Sequence, residues 1–90
     1  MGSEESVLID CFAEWCSPCK QIAPKVDEFS EAYPEVKFYK IDVEKLDDVA
    51  QELGVRAMPT FMLFRNGEKL TEVVGANPHE VENGIKALLM

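Results

Sequence analysis

Apolar residues come in short blocks along the chain, and their spacing changes from block to block. Val7-Leu8-Ile9-Asp10-Cys11-Phe12 is a nearly unbroken apolar run holding one charge, of the length and kind expected for a buried strand. Beyond Lys20 the period lengthens. Ile22, Val26, Phe29 and Tyr33 fall on one stripe, with Lys25, Asp27, Glu28 and Glu31 away from it, which predicts an amphipathic helix. Pro18 sits in its first turn, where a missing N–H is harmless; Pro24 lies in its interior and predicts a kink; Pro34 ends it. Val36 to Ile41 reads as a second strand, with Val36, Phe38 and Tyr39 as strand formers.

A shorter helix is predicted from Leu46 to Leu53, with Leu46, Val49, Ala50 and Leu53 on one face and Gly54 as its stop. Thr60 to Phe64 and Lys69 to Val74 are two further strands, joined by the strong hairpin signal Arg65-Asn66-Gly67-Glu68. Gly75-Ala76 forms a loop, and Asn77-Pro78 caps a last helix carrying Val81, Ile85, Leu88 and Leu89. The order is βαβαββα, an α/β class. The first two strands, joined by a helix, are expected parallel with a right-handed crossover, and the last two antiparallel. Helices then cover both faces of a mixed four-stranded sheet.

Composition narrows this to one domain spanning residues 1–90. Ninety residues with 47% hydrophobic content can build a single core, and no repeat, linker or low-complexity tract divides them. Met1 to Ser6 lacks the basic and apolar regions of a signal peptide and reads as an engineered or disordered start. No apolar run approaches the roughly 18 residues of a membrane span. The net charge of −8, with nine scattered basic residues, argues against nucleic acid or anionic membranes as partners. An acidic surface favours neutral or basic protein partners instead. Three cysteines are too few for a disulfide framework, which points to a reducing compartment and a cytoplasmic protein.

The chemistry lies in Trp15-Cys16-Ser17-Pro18-Cys19-Lys20, at the junction of the first strand and first helix. Unpaired N–H groups and the macrodipole at a helix start stabilise a thiolate, the nucleophilic form of sulfur. Two thiols at this spacing can close and reopen a small disulfide ring. Cys16, expected at the exposed helix start, is the candidate nucleophile; Cys19, one turn further in, would resolve the mixed disulfide. The alternatives are a pair of ordinary buried cysteines, or a zinc site. Zinc would need about four ligands, and the chain offers only Cys11 and His79 beyond the pair, so no metal site is predicted. Cys11 reads as an inert core thiol and His79 as a surface residue.

This element order and motif resemble the thioredoxin family through most of the chain. Asp10 stands where the family has a buried aspartate, six residues before the first cysteine. Pro24 matches its helix-kinking proline, Lys40 the lysine of its next strand, Met58-Pro59-Thr60 its cis-proline turn, and Gly67 and Gly75 its hairpin and loop glycines. The chain departs from the family in having Ser17-Pro18 between the cysteines, where Gly-Pro is usual, and in lacking the family's first strand and helix.

The resemblance implies a protein-disulfide oxidoreductase with no bound cofactor. Its partners would be disulfide-containing proteins and a thioredoxin reductase. A cis bond before Pro59 would help form a groove that reads the substrate backbone, rimmed by Trp15, Pro18, Ala57, Met58, Gly75 and Ala76. Asp10, a charge in an otherwise apolar strand, would be buried with a raised pKa and would accept the Cys19 proton through water. The other reading of Asp10 is a strand-end residue that reaches solvent. Lys40, on the neighbouring strand, would tune it. The absent elements would leave Val36–Ile41 as a sheet edge and favour a homodimer. A truncated, weakly active or redox-inert scaffold of the same fold is the alternative function.

Overall fold

The computed structural model describes residues 5–90, so the expectation for Met1 to Glu4 lies outside the described residues. The elements are β1 (Ser6–Phe12), α1 (Ser17–Ala32), β2 (Val36–Asp42), α2 (Asp47–Leu53), β3 (Thr60–Arg65), β4 (Glu68–Val74) and α3 (Pro78–Leu88), in the predicted order. Ser6 corrects one expectation. It does not belong to a loose start: it is buried and opens β1, opposite Val36 on one side and Arg65 on the other. Both edges of its backbone are given to ladders, as expected for a residue of a central strand.

The strand order is β2-β1-β3-β4. β1 runs parallel to β2 and antiparallel to β3, and β3 pairs antiparallel with β4. β2 is therefore an edge of the described sheet. The turn from β3 to β4 places Asn66 at φ 57° and Gly67 at φ 81°, the two positive angles that a type I′ turn requires.

Alternation along the strands decides where the core forms. Leu8, Val36, Phe61, Leu63 and Val73 face α1 and α3, which contribute Ile22, Val26 and Phe29, and Val81, Ile85 and Leu88. Burying each such side chain is worth about 1.5–3 kcal/mol, so this layer carries the fold. α1 persists across Pro24, at the cost of one ladder bond. Its last turn is tied to α3 where the Tyr33 hydroxyl donates to Glu82 Oε2 at 2.7 Å. α3 starts at Asn77, whose side chain accepts the Glu80 N–H at 3.2 Å.

The opposite face is covered only in part. Four residues of α2 were expected to pack, but only Ala50 is buried within it; Leu46, its N-cap, and Val49 are exposed. A helix of seven residues is only about 10 Å long and has little apolar face to offer the sheet. Tyr39, Leu70 and Val74 are correspondingly exposed. Leu89, expected on the apolar side of α3, lies past its end and is exposed as well.

Candidate active site

The end of β1 delivers two sulfurs to the start of α1. The chain turns after Phe12, with the Cys16 N–H donating to Ala13 O at 3.1 Å. Cys16 is the N-cap residue, at φ −83° and ψ 105°, and its Sγ accepts the Cys19 N–H at 3.2 Å. No acidic residue stands in the first turn to compete for the positive end of the helix. Cys16 and Cys19 are joined as a disulfide, with Cα atoms 5.3 Å apart. The expected contrast in exposure is absent: Cys16 is 3% exposed and Cys19 8%. The two differ in what they face. Cys16 takes a backbone amide, whereas Cys19 lines a hollow that reaches Asp10.

That hollow has a volume of about 450 Å³ and is bordered by Asp10, Phe12, Ala13, Cys19, Ala23 and Lys40. Asp10 is only 7% exposed, which rules out the solvent-facing reading, and its Oδ1 is buried without a hydrogen-bond partner among the described residues. Burial pushes its carboxyl up to about 6 from 3.8; Lys40 pulls it down and Asp27 adds to the rise. Lys40 is the register partner of Asp10 on β2, but its Nζ lies 4.0 Å from Asp27 Oδ1 on α1. Cys11 is fully buried, and desolvation, followed by the charges of Asp10 and Glu72, raises its thiol to about 11. It packs inside the sheet as expected. His79 is exposed at the start of α3.

From the β3 side, Met58 approaches the disulfide. The Met58–Pro59 bond is cis. Met58 packs against the cluster of Ala13, Cys16 and Cys19. Pro59 is buried and its carbonyl accepts the Gly75 N–H at 2.8 Å, which ties the loop at Gly75-Ala76 to the proline turn. Ala57 and Ala76 are exposed, as is Pro18 in the first turn of α1. Trp15 is not a core residue: it is 62% exposed.

Its indole is held nonetheless, since Nε1 donates to Glu44 Oε2 at 2.6 Å. The loop that carries Glu44 is folded by Asp42, whose Oδ1 accepts the N–H groups of Glu44 at 2.9 Å and Lys45 at 3.3 Å. Glu44, Asp42 and Asp27 escaped the sequence reading. Only Asp42 had a local signal, as an aspartate able to cap its own turn at a strand end.

Residues 1–87 match the Thioredoxin family model. Thioredoxin-1 of Schizosaccharomyces pombe is 52% identical over 86 residues, covering 96% of this chain and 84% of that protein. Thioredoxin-2 of Pyricularia oryzae is 55% identical over 87 residues, covering 97% of this chain but 51% of the relative. Among solved structures, oxidised mitochondrial thioredoxin 3 from Saccharomyces cerevisiae superposes with a TM-score of 0.91 at 43% identity, covering 93% of this chain and 79% of that one. A chain from a study of thiol resolving in yeast mitochondrial 1-Cys peroxiredoxin via the glutathione/thioredoxin systems gives 0.91 at 42% identity, with the same coverage.

Proposed function

The chain belongs to the thioredoxin family and is a protein-disulfide oxidoreductase working through Cys16 and Cys19, and from this premise we propose how the two sulfurs and Asp10 divide the reaction. The Cys16 thiolate attacks one sulfur of a substrate disulfide, forming the mixed disulfide and expelling the first substrate thiolate. Cys19 then loses its proton to Asp10, across the shared hollow, and attacks Cys16 Sγ. The mixed disulfide breaks, the second substrate sulfur leaves as a thiolate that then takes up a proton, and the Cys16–Cys19 disulfide closes. Two electrons have passed to the substrate.

The observation that carries this assignment is the Cys19 amide donating to Cys16 Sγ at the N-cap, because a hydrogen bond and the helix dipole stabilise the thiolate form of that sulfur. Trp15, Pro18, Ala57, Met58, Pro59, Gly75 and Ala76 form the docking face, where backbone pairing permits many sequences. The cycle needs no resident cofactor: a thioredoxin reductase returns the two electrons. The yeast peroxiredoxin system suggests oxidised, disulfide-bonded peroxiredoxins among the substrates. A reducing cytoplasm suits a chain whose third cysteine is buried. The edge position of β2 supports self-association of two copies.

The chain should accelerate insulin reduction by dithiothreitol. Cys19→Ser should trap mixed disulfides, while Cys16→Ser should abolish reaction with substrate. Mixed disulfides formed through Cys19 in the Cys16→Ser protein would reverse the assignment.

A further inference from the structure

Lys40 stands between two carboxylates. On β2 it is the register partner of Asp10, yet its ammonium lies 4.0 Å from Asp27 Oδ1 on α1, while Asp10 Oδ1 is buried without a hydrogen-bond partner among the described residues. Two hollows meet at this point and share Asp10 and Lys40. One, of about 450 Å³, includes Cys19. The other, of about 290 Å³, is bordered by Val26, Asp27, Ser30 and Phe38 as well. The Lys40 and Asp27 side chains are 54% and 71% exposed, so their attraction is loose and holds the ammonium without immobilising it.

We propose that Asp27 is a positioning residue for the resolving step: its carboxylate keeps the Lys40 ammonium at the mouth of the hollows and off Asp10, so that Asp10 retains the basicity needed to take the Cys19 proton. The inference rests on Asp10 as the proton acceptor. The physical reason is competition for one cation. A buried carboxylate that gains a close ammonium becomes a weaker base, because its charged form is stabilised where water cannot do so. Asp27 also acts directly, as a like charge that favours the protonated form of Asp10. Both effects of Asp27 therefore point the same way, and both vanish when its charge is removed.

The other groups around Asp10 do not duplicate this arrangement. α1 presents Cys19, Lys20 and Asp27, the turn before α1 presents Glu14, and β2 presents Lys40. β3 offers the apolar Phe61 opposite Asp10. Cys11 follows Asp10 on β1, on the opposite face of the sheet by strand alternation.

The test follows the Asp10 carboxyl carbon by nuclear magnetic resonance as a function of pH in the reduced chain, with Asp10→Asn to assign the signal. Asp27→Asn is expected to lower the Asp10 midpoint by about one pH unit, the low end for a cation brought close to a carboxylate. Asp27→Glu, which keeps the charge, should leave the midpoint near its original place. In a Lys40→Met background, Asp27→Asn should move the midpoint clearly less, leaving only the direct effect of the lost charge. No movement with Asp27→Asn, or equal movement with and without Lys40, would overturn the proposal. The rate of mixed-disulfide resolution is then measured against pH in the same variants, and its profile should follow the Asp10 midpoint. A midpoint that moves while the resolving rate does not would overturn the Asp10 reading, and the catalytic consequence of Asp27 with it.

Discussion

The carboxylate inside β1 sets a stability cost as well as a reactivity. Asp10 has a folded pKa of about 6 against 3.8 for the ordinary group, through burial above all. The folded chain thus holds this proton more tightly than the unfolded one. The stability this confers is fully present below pH 3.8 and is lost as pH rises through about 6, so that at neutral pH the charge costs up to roughly 2–3 kcal/mol. Asp10→Asn should recover much of that at pH 7 and nothing at pH 3.5, as read by urea unfolding, while slowing resolution of the mixed disulfide by about 10²–10⁴-fold. Equal effects at both pH values would show that Asp10 does not titrate as described. Cys11 offers a second check on burial: its raised pKa and lack of exposure predict that iodoacetamide labels it only after unfolding. Labelling of the folded, reduced chain at Cys11 would contradict its place in the sheet. At this scale the sequence is legible wherever a residue breaks its local pattern. Asp10 is a charge in an apolar run, and Cys16 and Cys19 are paired by spacing. Asp27 and Glu44 break no pattern. They are two of seventeen acidic residues, and only the packing of α1 beside β2, and of the β2–α2 loop beside the cysteine turn, shows what they hold.

Elements were legible where local chemistry and tertiary packing agree. The hairpin turn, the Asn77 cap and the stripe of α1 are all read from neighbouring residues and all recur in the structure. α2 is the instructive exception: its helical pattern was visible, but the extent of its contact was not, because contact depends on how much sheet a seven-residue helix can reach. The difference should appear in mutational cost. Ile85→Ala, in the layer between α3 and the sheet, should lose about 2–5 kcal/mol. Val49→Ser, on the exposed side of α2, should stay within about 0.5 kcal/mol. Similar losses at both positions in denaturant titrations would mean that α2 packs more closely than its exposed side chains indicate. The Asn77 cap belongs to the same scale. Asn77→Ala should cost about 1 kcal/mol and Asn77→Asp much less, because aspartate keeps the oxygen that accepts the Glu80 N–H.

For the whole molecule, two opposed terms decide whether the chain stays single. Among the described residues, β2 presents one unpaired row of backbone groups, and the sheet face beside it exposes Tyr39, with Leu70 and Val74 across the same sheet. A second β2 could extend the ladder, and alternation puts apolar side chains next to the new seam. Against this stands the net charge of −8 on each copy, which repels a like partner over a distance set by salt. The sheet order that exposes β2 followed from connectivity and resemblance. The balance between the two terms did not, because it depends on shape and charge summed over both partners. Screening separates them. As ionic strength rises from about 0.01 M to about 0.15 M the screening length falls from about 30 to about 8 Å, which removes most of the long-range repulsion and leaves the ladder and apolar contacts intact. The dimer fraction should therefore rise with both protein concentration and salt, as read by light scattering coupled to gel filtration. Replacing Tyr39 with Lys on the edge should reverse the rise, since an added charge beside the seam has to be buried or displaced when two edges meet. A monomeric mass at every concentration and salt would show that the edge is left unpaired and that β2 is guarded well enough by its own lysines, Lys37 and Lys40.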